Sequence, residues 1–186
     1  MLYHVSKNGG IQVLSPQVSS HGMAYVYAIE NLTTALLFGA RSDDFDFLID
    51  ENDLGIPELY ECYPGAFNAV YNGKSCFVYE VEETGFIRGQ TGWAPELVCP
   101  TEVVVSRETF VPDLYSRLLN EAKCGNLSIC YYEDKPEYKA LIAAHLVDRM
   151  IRFDALDRFE TDIRFQTHYR NLVLALQSAM DGHLLR

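Results

Sequence analysis

Basic residues are scarce in this sequence, and it has no long apolar run. Its 15 lysines and arginines stand against 26 aspartates and glutamates, which gives a formal charge of −11. A surface that binds nucleic acid or an anionic membrane needs a basic patch, so we expect neither partner. No run of about eighteen apolar residues is present to cross a bilayer, and residues 1–7 lack the basic-then-apolar pattern of a signal peptide.

The common catalytic and metal-binding motifs are also missing. The sequence has no G-x-G-x-x-G, no phosphate-binding P-loop, no H-E-x-x-H and no G-x-S-x-G. It has an odd number of cysteines, without C-x-x-C or zinc-finger spacing. This pattern predicts reduced thiols in a cytoplasmic protein and no metal site. The cysteines are Cys62, Cys76, Cys99, Cys124 and Cys130.

The composition is that of a folded chain, with 186 residues, 48% hydrophobic and 12% aromatic. Alternation of side chains predicts strands over 2–6 and 24–29, with Tyr25 and Tyr27 on one face of the second strand. Asn31 is placed to cap a short helix that ends at Gly39. A further strand is predicted at 102–105. These elements predict an α+β fold built on a mostly antiparallel sheet.

The middle of the chain predicts a loop and a hairpin, and the C-terminal part predicts helices. Residues 42–58 are acidic and predict a solvated loop or short surface helix. Asn72-Gly73 predicts a hairpin between strands at 69–71 and 76–81. Helical spacing of apolar residues predicts a C-terminal pair of helices, over 136–151 and 155–181. We therefore expect a domain at 1–134 and a helical extension at 135–186 packed on it.

Three polar residues of the predicted sheet are candidates for chemistry. His4 lies in the first strand, Tyr27 in the second, and Glu102 opens a later one. Residues on three strands of one sheet can converge on one cleft although they are distant in sequence. Each residue also has an ordinary structural explanation, because histidines are often hydrogen-bonded within a fold, tyrosines pack across strands, and charged residues occur on edge strands.

Around these residues, the sequence resembles the ADP-ribosyltransferase family, in its diphtheria-toxin-like branch with a His–Tyr–acid site. Leu2–Ser6, Tyr25–Ala28 and the helix of 31–38 carry the resemblance in the family's order. Val78–Gly85 is similar to a stretch of the small rifampin-modifying members, and Thr101–Val105 resembles the third family motif. The resemblance covers roughly residues 1–115 and implies a split antiparallel sheet that binds NAD.

The resemblance implies a role for each matching residue. His4 would hydrogen-bond the nicotinamide-side ribose of NAD, and the backbone of Val5 would pair with the nicotinamide amide. Tyr27 and Phe38 would lie against the nicotinamide ring. Glu102 would sit beside the ribose 2′-hydroxyl.

Three further positions bear on the expected cofactor site. Tyr25 shares the predicted face of Tyr27, and a register slip would exchange which tyrosine lines the cofactor. Val5 stands where the family usually has glycine. Ala35 replaces a serine that many members use to bind the amide.

The implied activity is NAD-dependent transfer of ADP-ribose to an unknown acceptor or to water, without a metal. A fixed carboxylate near the ribose carbon would stabilise the positive charge of the transition state. The departures at Val5 and Ala35 support an alternative, in which the chain binds NAD or a nucleotide without turnover. A third interpretation is an interaction protein, with the apolar face of 169–180 forming a homodimer. Packing of that face on the sheet of its own chain is the favoured explanation.

Overall fold

A computed structural model describes residues 1–18, 22–40, 43 and 45–184, except for the side chains at 159 and 184. The chain divides into two compact units. Unit 1 comprises Met1–Arg41 with Val70–Leu127, and unit 2 comprises Ser42–Ala69 with Ser128–Arg186. The division therefore assigns the segment 42–69 to the same unit as the C-terminal helices. The sequence, in contrast, suggested domains at 1–134 and 135–186.

The strands and helices are numbered in chain order. The strands are β1 (Leu2–Ser6), β2 (Val13–Leu14), β3 (Gln17–Val18), β4 (Ala24–Ile29), β5 (Phe47–Glu51), β6 (Pro57–Glu61), β7 (Cys76–Val81), β8 (Ile87–Arg88), β9 (Glu96–Cys99), β10 (Val103–Val111) and β11 (Ser128–Cys130). The helices are α1 (Leu32–Leu36), α2 (Ala66–Tyr71), α3 (Leu114–Lys123), α4 (Pro136–Arg152), α5 (Arg158–Thr161), α6 (Ile163–Tyr169) and α7 (Val173–Leu184), with a 3₁₀ turn at Arg170–Leu172.

Unit 1 is built on an antiparallel sheet. Its strands follow the order β2-β10-β7-β1-β4-β9-β8, and β3 pairs with β4 beside this path. One face of the sheet carries an apolar core of residues from six of these strands. The buried members of this core are Leu2, Leu14, Val26, Ala28, Val81, Leu97, Cys99 and Val103. Strand alternation therefore places the residues between them on the other face.

The α1 region follows β4 as the sequence predicts. Asn31 caps the helix, because its side-chain oxygen accepts from the backbone N–H of Thr34 at 3.0 Å. Gly39 then passes close to β7 and α3, and a Cβ at this position would lie 2.8 Å from the Cys76 sulfur and 2.9 Å from Leu114. Only glycine permits that close approach.

Unit 2 contains a three-stranded sheet in the order β11-β6-β5, in which β11 runs parallel to β6. Glu61, at the end of β6, has only 2% of its surface exposed. Its carboxylate accepts from the backbone N–H groups of Gly65 at 3.3 Å, Phe67 at 2.7 Å and Tyr132 at 2.9 Å. One buried carboxylate thereby connects β6 with α2 and with the segment after β11.

An ion-pair network joins the start of unit 2 to its C-terminal helices. Arg158 donates to both carboxylate oxygens of Asp43, at 3.2 and 2.9 Å, and also to Asp162 at 2.8 Å. Its guanidinium lies 4.7 Å from the ring centre of Phe45 and 5.1 Å from that of Phe165. Arg158 is thus held in place by charge and by aromatic stacking together.

Three predicted elements differ from the structure. The acidic segment 42–58 contains β5 and the start of β6, where Ile49 pairs with Leu59; its Asp44 lies outside the described residues. Residues 66–71 form α2, so Asn72-Gly73 follows a helix and does not turn a hairpin. The second C-terminal helix is interrupted because the Asp162 side chain caps the N–H groups of Arg164 and Phe165 and starts α6 there.

The α+β class, the antiparallel sheet and the helical C-terminal part are confirmed. The apolar side chains of Tyr169, Leu172 and Leu176 are buried within a single copy of the chain. Leu174 and Ile163 remain exposed. Among the described helices, none combines the length and the apolar character needed to span a bilayer.

Candidate functional site

His4 lies at the point where β1 and β4 cease to pair. β1 pairs with β7 through all five of its residues, whereas the pairing with β4 recorded in the described chain is Tyr3 opposite Ile29. Beyond that pair, the Nδ1 of His4 donates to the backbone carbonyl of Tyr27 at 2.8 Å. The imidazole therefore connects β1 with β4 by a side-chain hydrogen bond beyond the Tyr3–Ile29 backbone pair.

This hydrogen bond fixes the chemical form of His4. A carbonyl oxygen can only accept, so Nδ1 carries the hydrogen. Burial lowers the pKa of His4 below its ordinary value of 6.5, while the hydrogen bond to Tyr27 acts in the opposite direction and offsets part of that effect. At neutral pH the ring is therefore uncharged, and Nε2 keeps a lone pair that can accept from a hydroxyl group.

Tyr25 and Tyr27 share the face of β4 opposite the apolar core. Val26 and Ala28 belong to that core together with Leu2, so the alternate residues of β4 point to the other side. The two tyrosine rings meet edge to face, with centroids 6.2 Å apart. His4 alternates with Tyr3 and lies on the Leu2 face, so it reaches the Tyr27 carbonyl rather than its phenol. The predicted pair is thus joined through the backbone.

A second aromatic pair follows α1. The backbone N–H of Phe38 donates to the carbonyl of Ala35 at 3.0 Å, which extends the helix end by one turn. The ring of Phe38 is half-buried and packs on Trp93, with centroids 5.4 Å apart and planes inclined by 55°. Trp93 was not predicted from the sequence to be a neighbour of Phe38. Its loop, between Gly89 and Pro95, carries no periodic signal that would place it.

Val5 and Ala35, where the sequence departs from the family it resembles, lie in a strand ladder and in a buried helix. Val5 pairs with Val78 in the β1–β7 ladder and is half-buried. It lies beyond the Tyr3–Ile29 pair, on the part of β1 that also carries His4. Ala35 is buried in α1, with 2% of its surface exposed. A methyl group there supplies no hydrogen bond to a ligand.

Glu102 lies outside the His4 neighbourhood. It is exposed and precedes β10, and its carboxylate accepts from the Ser15 hydroxyl at 3.1 Å. Strand β7 stands between β10 and β1 in the sheet. The next residue, Val103, belongs to the apolar core with Leu2, so alternation directs Glu102 away from that face. The structure thus brings His4 to Tyr27 and gives Glu102 a separate set of contacts.

A row of polar side chains that sequence analysis missed crosses three strands beside His4. Tyr79 of β7 is the cross-strand partner of both His4 and Glu108 of β10. Directly opposite residues share a face, so these three side chains are neighbours. The rings of His4 and Tyr79 have centroids 6.3 Å apart. Burial and the neighbouring Glu108 raise the pKa of the Tyr79 hydroxyl.

The sequence holds no direct signal for this row. β10 carries a bulge between Val105 and Arg107, which shifts its register on β7 and aligns Glu108 with Tyr79. The alternation of β10 identifies a strand but does not reveal the partner or the bulge.

Within the described residues, no group of three or more histidine, cysteine, aspartate or glutamate side chains is arranged to hold a metal ion.

No protein-family model, curated protein or solved structure matches the chain.

Proposed function

We propose that unit 1 binds NAD, cleaves its nicotinamide–ribose bond and transfers the ADP-ribose to an acceptor or to water. The observation that carries the proposal is the hydrogen bond from His4 Nδ1 to the Tyr27 carbonyl. It holds a neutral imidazole between two strands and leaves Nε2 as an acceptor. The resemblance assigns His4 a hydrogen bond to the nicotinamide-side ribose, and a ribose hydroxyl would donate to such an acceptor.

The aromatic side chains support the same ligand. Tyr27 and Phe38 are half-buried, and each packs on a further aromatic ring, Tyr25 and Trp93 respectively. Aromatic faces of this kind bind a flat heterocycle, with about 1 kcal/mol for each good ring pair. In the proposed complex, the nicotinamide lies against Tyr27 and Phe38, and the backbone of Val5 pairs with its amide. Because the Tyr27 side chain lies on the face of the sheet opposite His4, this complex requires the ring to enter the gap where β1 and β4 diverge.

The reaction requires a carboxylate near the ribose. Cleavage of the bond between the ribose carbon and the nicotinamide nitrogen sends the bonding electrons to nicotinamide and leaves positive charge on the ribose. A nearby carboxylate stabilises that charge and accepts the proton of the attacking hydroxyl or water. The resemblance gives this role to Glu102, which in the protein without ligand lies apart from His4 and bonds Ser15, so the proposed reaction requires Glu102 to approach the ribose in the complex.

The test is a direct assay of nicotinamide release by the purified full chain. We expect release from NAD, with Glu102→Gln reducing the rate about a hundredfold while NAD affinity stays within about threefold. Glu82→Gln is the matched control, because Glu82 is also an exposed glutamate of unit 1. Unchanged release in Glu102→Gln would remove Glu102 from the mechanism. Absence of both binding and release at millimolar NAD would refute the proposal as a whole.

Binding without turnover is the second candidate function. It is favoured by the contact of Glu102 with Ser15 and by the strand that separates β10 from β1. Trp93 is the only tryptophan of the chain and packs on Phe38, so its fluorescence reports on this site. Saturable quenching by NAD, with intact NAD recovered after prolonged incubation, would identify the chain as a binding module.

A further inference from the structure

The segment Lys7–Gln12, which we call the strap, links β1 to β2 and lies against β7 and β10. The Tyr79 hydroxyl donates to the Asn8 carbonyl at 2.6 Å, and the backbone N–H of Ile11 donates to that hydroxyl at 3.5 Å. The N–H of Gly10 donates to the Glu108 carboxylate at 2.6 Å. Two side chains from two strands therefore hold three backbone groups of the strap, the carbonyl of Asn8 and the N–H groups of Gly10 and Ile11.

The strap has a conformation that its two glycines permit. Gly9 lies against the ring of Phe77, and a Cβ at Gly9 would come within 2.5 Å of that ring. Gly10 has a φ of +78°, in the left-handed region where side chains are strained. The two glycines after Asn8 thus allow the strap to lie close to Phe77 and to adopt a left-handed backbone conformation.

The same side chains that hold the strap adjoin His4. Tyr79 is fully buried, and its ring lies 6.3 Å from the His4 ring, centroid to centroid. On the side of β4, the imidazole bonds to the Tyr27 carbonyl. The His4 ring is therefore positioned between a tyrosine that the strap anchors and a carbonyl of the next strand. Any movement of the Tyr79 ring changes the space available to the imidazole.

We propose that Tyr79 and Glu108 are positioning residues, which clamp the strap and thereby keep the His4 imidazole on the Tyr27 carbonyl. Neither residue touches the substrate in this scheme. Tyr79 anchors Asn8 and Ile11, Glu108 anchors Gly10, and the fixed Tyr79 ring restricts rotation of the His4 side chain. The consequence for catalysis rests on the proposed NAD function, whereas the clamp itself is a property of the protein without ligand.

Three variants test the clamp in the full chain. Tyr79→Phe removes the hydroxyl and keeps the ring, and Glu108→Ala removes the acceptor for Gly10. Glu108→Gln retains an oxygen that can accept from Gly10, so it is expected to restore the wild-type behaviour. Tyr3→Phe is the matched control, because Tyr3 is adjacent to His4 on the opposite face of β1.

Hydrogen exchange and imidazole NMR provide readouts that need no activity. We expect exchange of the Ile11 amide to be about tenfold faster in Tyr79→Phe, and that of Gly10 similarly faster in Glu108→Ala. In both variants the ¹⁵N shifts of His4 should move from the pattern of a single Nδ1–H tautomer towards an average of two tautomers. Glu108→Gln and Tyr3→Phe should leave these signals unchanged.

Turnover gives the third readout. If the wild-type chain releases nicotinamide, the Tyr79→Phe and Glu108→Ala variants should raise KM about tenfold with a smaller change in kcat, because the ribose contact of His4 is made in the bound substrate. If the wild-type chain neither binds nor cleaves NAD, the proposed function fails, and the clamp is still decided by exchange and NMR. Faster strap exchange with an unchanged His4 signal would overturn the positioning role. Should Tyr79→Phe fail to fold, the clamp is tested by amide exchange and His4 NMR in Glu108→Ala and Glu108→Gln, because Glu108 is exposed.

Discussion

His4 and Tyr27 are joined by a hydrogen bond from an imidazole nitrogen to a main-chain carbonyl, 2.8 Å long, across the point where their strands diverge. The bond determines the tautomer of the histidine. It also explains why a lowered pKa matters here, because only the neutral ring offers Nε2 as an acceptor while Nδ1 remains a donor.

NAD binding should weaken in acid because of His4. Burial lowers the pKa of His4, so the ring stays neutral at pH 7 and becomes charged only below its ordinary value of 6.5. Protonation places a hydrogen on Nε2, and in the proposed NAD complex this removes the acceptor for the ribose hydroxyl. We expect constant affinity above pH 6.5 and a decline as the pH falls through the folded pKa, by up to about tenfold per pH unit. Titrations of Trp93 fluorescence with NAD measure this profile.

The control for this profile is His183→Gln, because His183 is an exposed histidine of α7. It should reproduce the wild-type curve, whereas His4→Gln should bind weakly at all pH values. Equal affinities of the wild-type chain at pH 5 and pH 7.5 would contradict the role of Nε2.

The same lowered pKa makes stability depend on pH. The unfolded chain takes up a proton at His4 near pH 6.5, whereas the folded chain does so only at lower pH. Acid therefore favours the unfolded state, and the contribution is lost as the pH falls from 6.5 to the folded pKa, below which it is constant. Urea unfolding of the wild-type chain and His4→Gln at pH 7.5 and 5.5 should show a smaller loss in the variant. An equal loss in both would assign the effect to other groups.

Glu61 should contribute strongly to stability through its three backbone contacts. Replacement by alanine leaves the buried N–H group of Phe67 and the half-buried one of Tyr132 without their acceptor and opens a cavity. We expect Glu61→Ala to lower the free energy of unfolding by about 3 kcal/mol, and Glu61→Gln by about 1–2 kcal/mol, because the amide retains one accepting oxygen. Glu51→Ala, at the exposed end of β5, should change it by less than about 0.5 kcal/mol. A loss below about 1 kcal/mol in Glu61→Ala would show that the contacts are replaced by water.

The elements that the sequence predicted correctly are those with a local signal. β1 and β4 alternate, and Asn31 caps α1 through its own side chain. Residues 66–71 were predicted partly as a strand because Val70 and Tyr71 favour β structure. A tertiary contact overrides this local preference and favours a helix at these residues. The Tyr71 hydroxyl, at the end of α2, donates to the Leu37 carbonyl at 2.8 Å.

The candidate site shows the same limit. The two predicted strands that became β1 and β4 could be expected to be neighbours from their order in the sequence. In the structure, the His4 imidazole of β1 bonds to the Tyr27 carbonyl of β4. The alignment of Tyr79 with Glu108 depends on the bulge after Val105, which is a property of strand pairing. Non-local register of this kind leaves no periodic mark in the sequence, so the row beside His4 was not predicted.

Arginine chemistry, and not charge alone, should be required at position 158. Arg158 makes a two-point contact with Asp43, bonds Asp162 and lies over the rings of Phe45 and Phe165. Lysine has a single ammonium group and no flat surface, so we expect Arg158→Lys to lose about 2 kcal/mol of unfolding free energy. Arg152→Lys is the matched control, because Arg152 pairs with Asp148 on the exposed surface of α4, and its loss should stay below about 0.5 kcal/mol.

The pH dependence of the Arg158 variant provides a second check. Burial by itself raises the pKa of Asp43, but the hydrogen bonds from Arg158 and from the Phe45 backbone bring it below its ordinary value of 3.8. The resulting stabilisation is present above pH 3.8 and is lost as the pH falls through the folded pKa. The stability difference between wild type and Arg158→Lys should therefore shrink in acid. A difference that is constant down to pH 2 would indicate that packing on the aromatic rings dominates.

Gly9 should be intolerant of a side chain because the strap lies on Phe77. A methyl group at Gly9 would come within 2.5 Å of the Phe77 ring, so either the ring or the strap must move. We expect Gly9→Ala to lower the free energy of unfolding by about 1–3 kcal/mol. Gly182→Ala is the opposite control, because Gly182 lies in α7 with open space at its Cβ, and alanine should stabilise that helix by about 0.5–1 kcal/mol.

A second substitution decides whether the clash itself is the cause. Phe77→Leu shortens the side chain beneath Gly9, so the double variant Gly9→Ala with Phe77→Leu should lose less stability than the two single losses added together. Thermal unfolding of the four proteins measures this coupling. If the losses are simply additive, Gly9 is required for its backbone conformation and not for contact with the ring, and the strap would then be held by Tyr79 and Glu108 without help from Phe77.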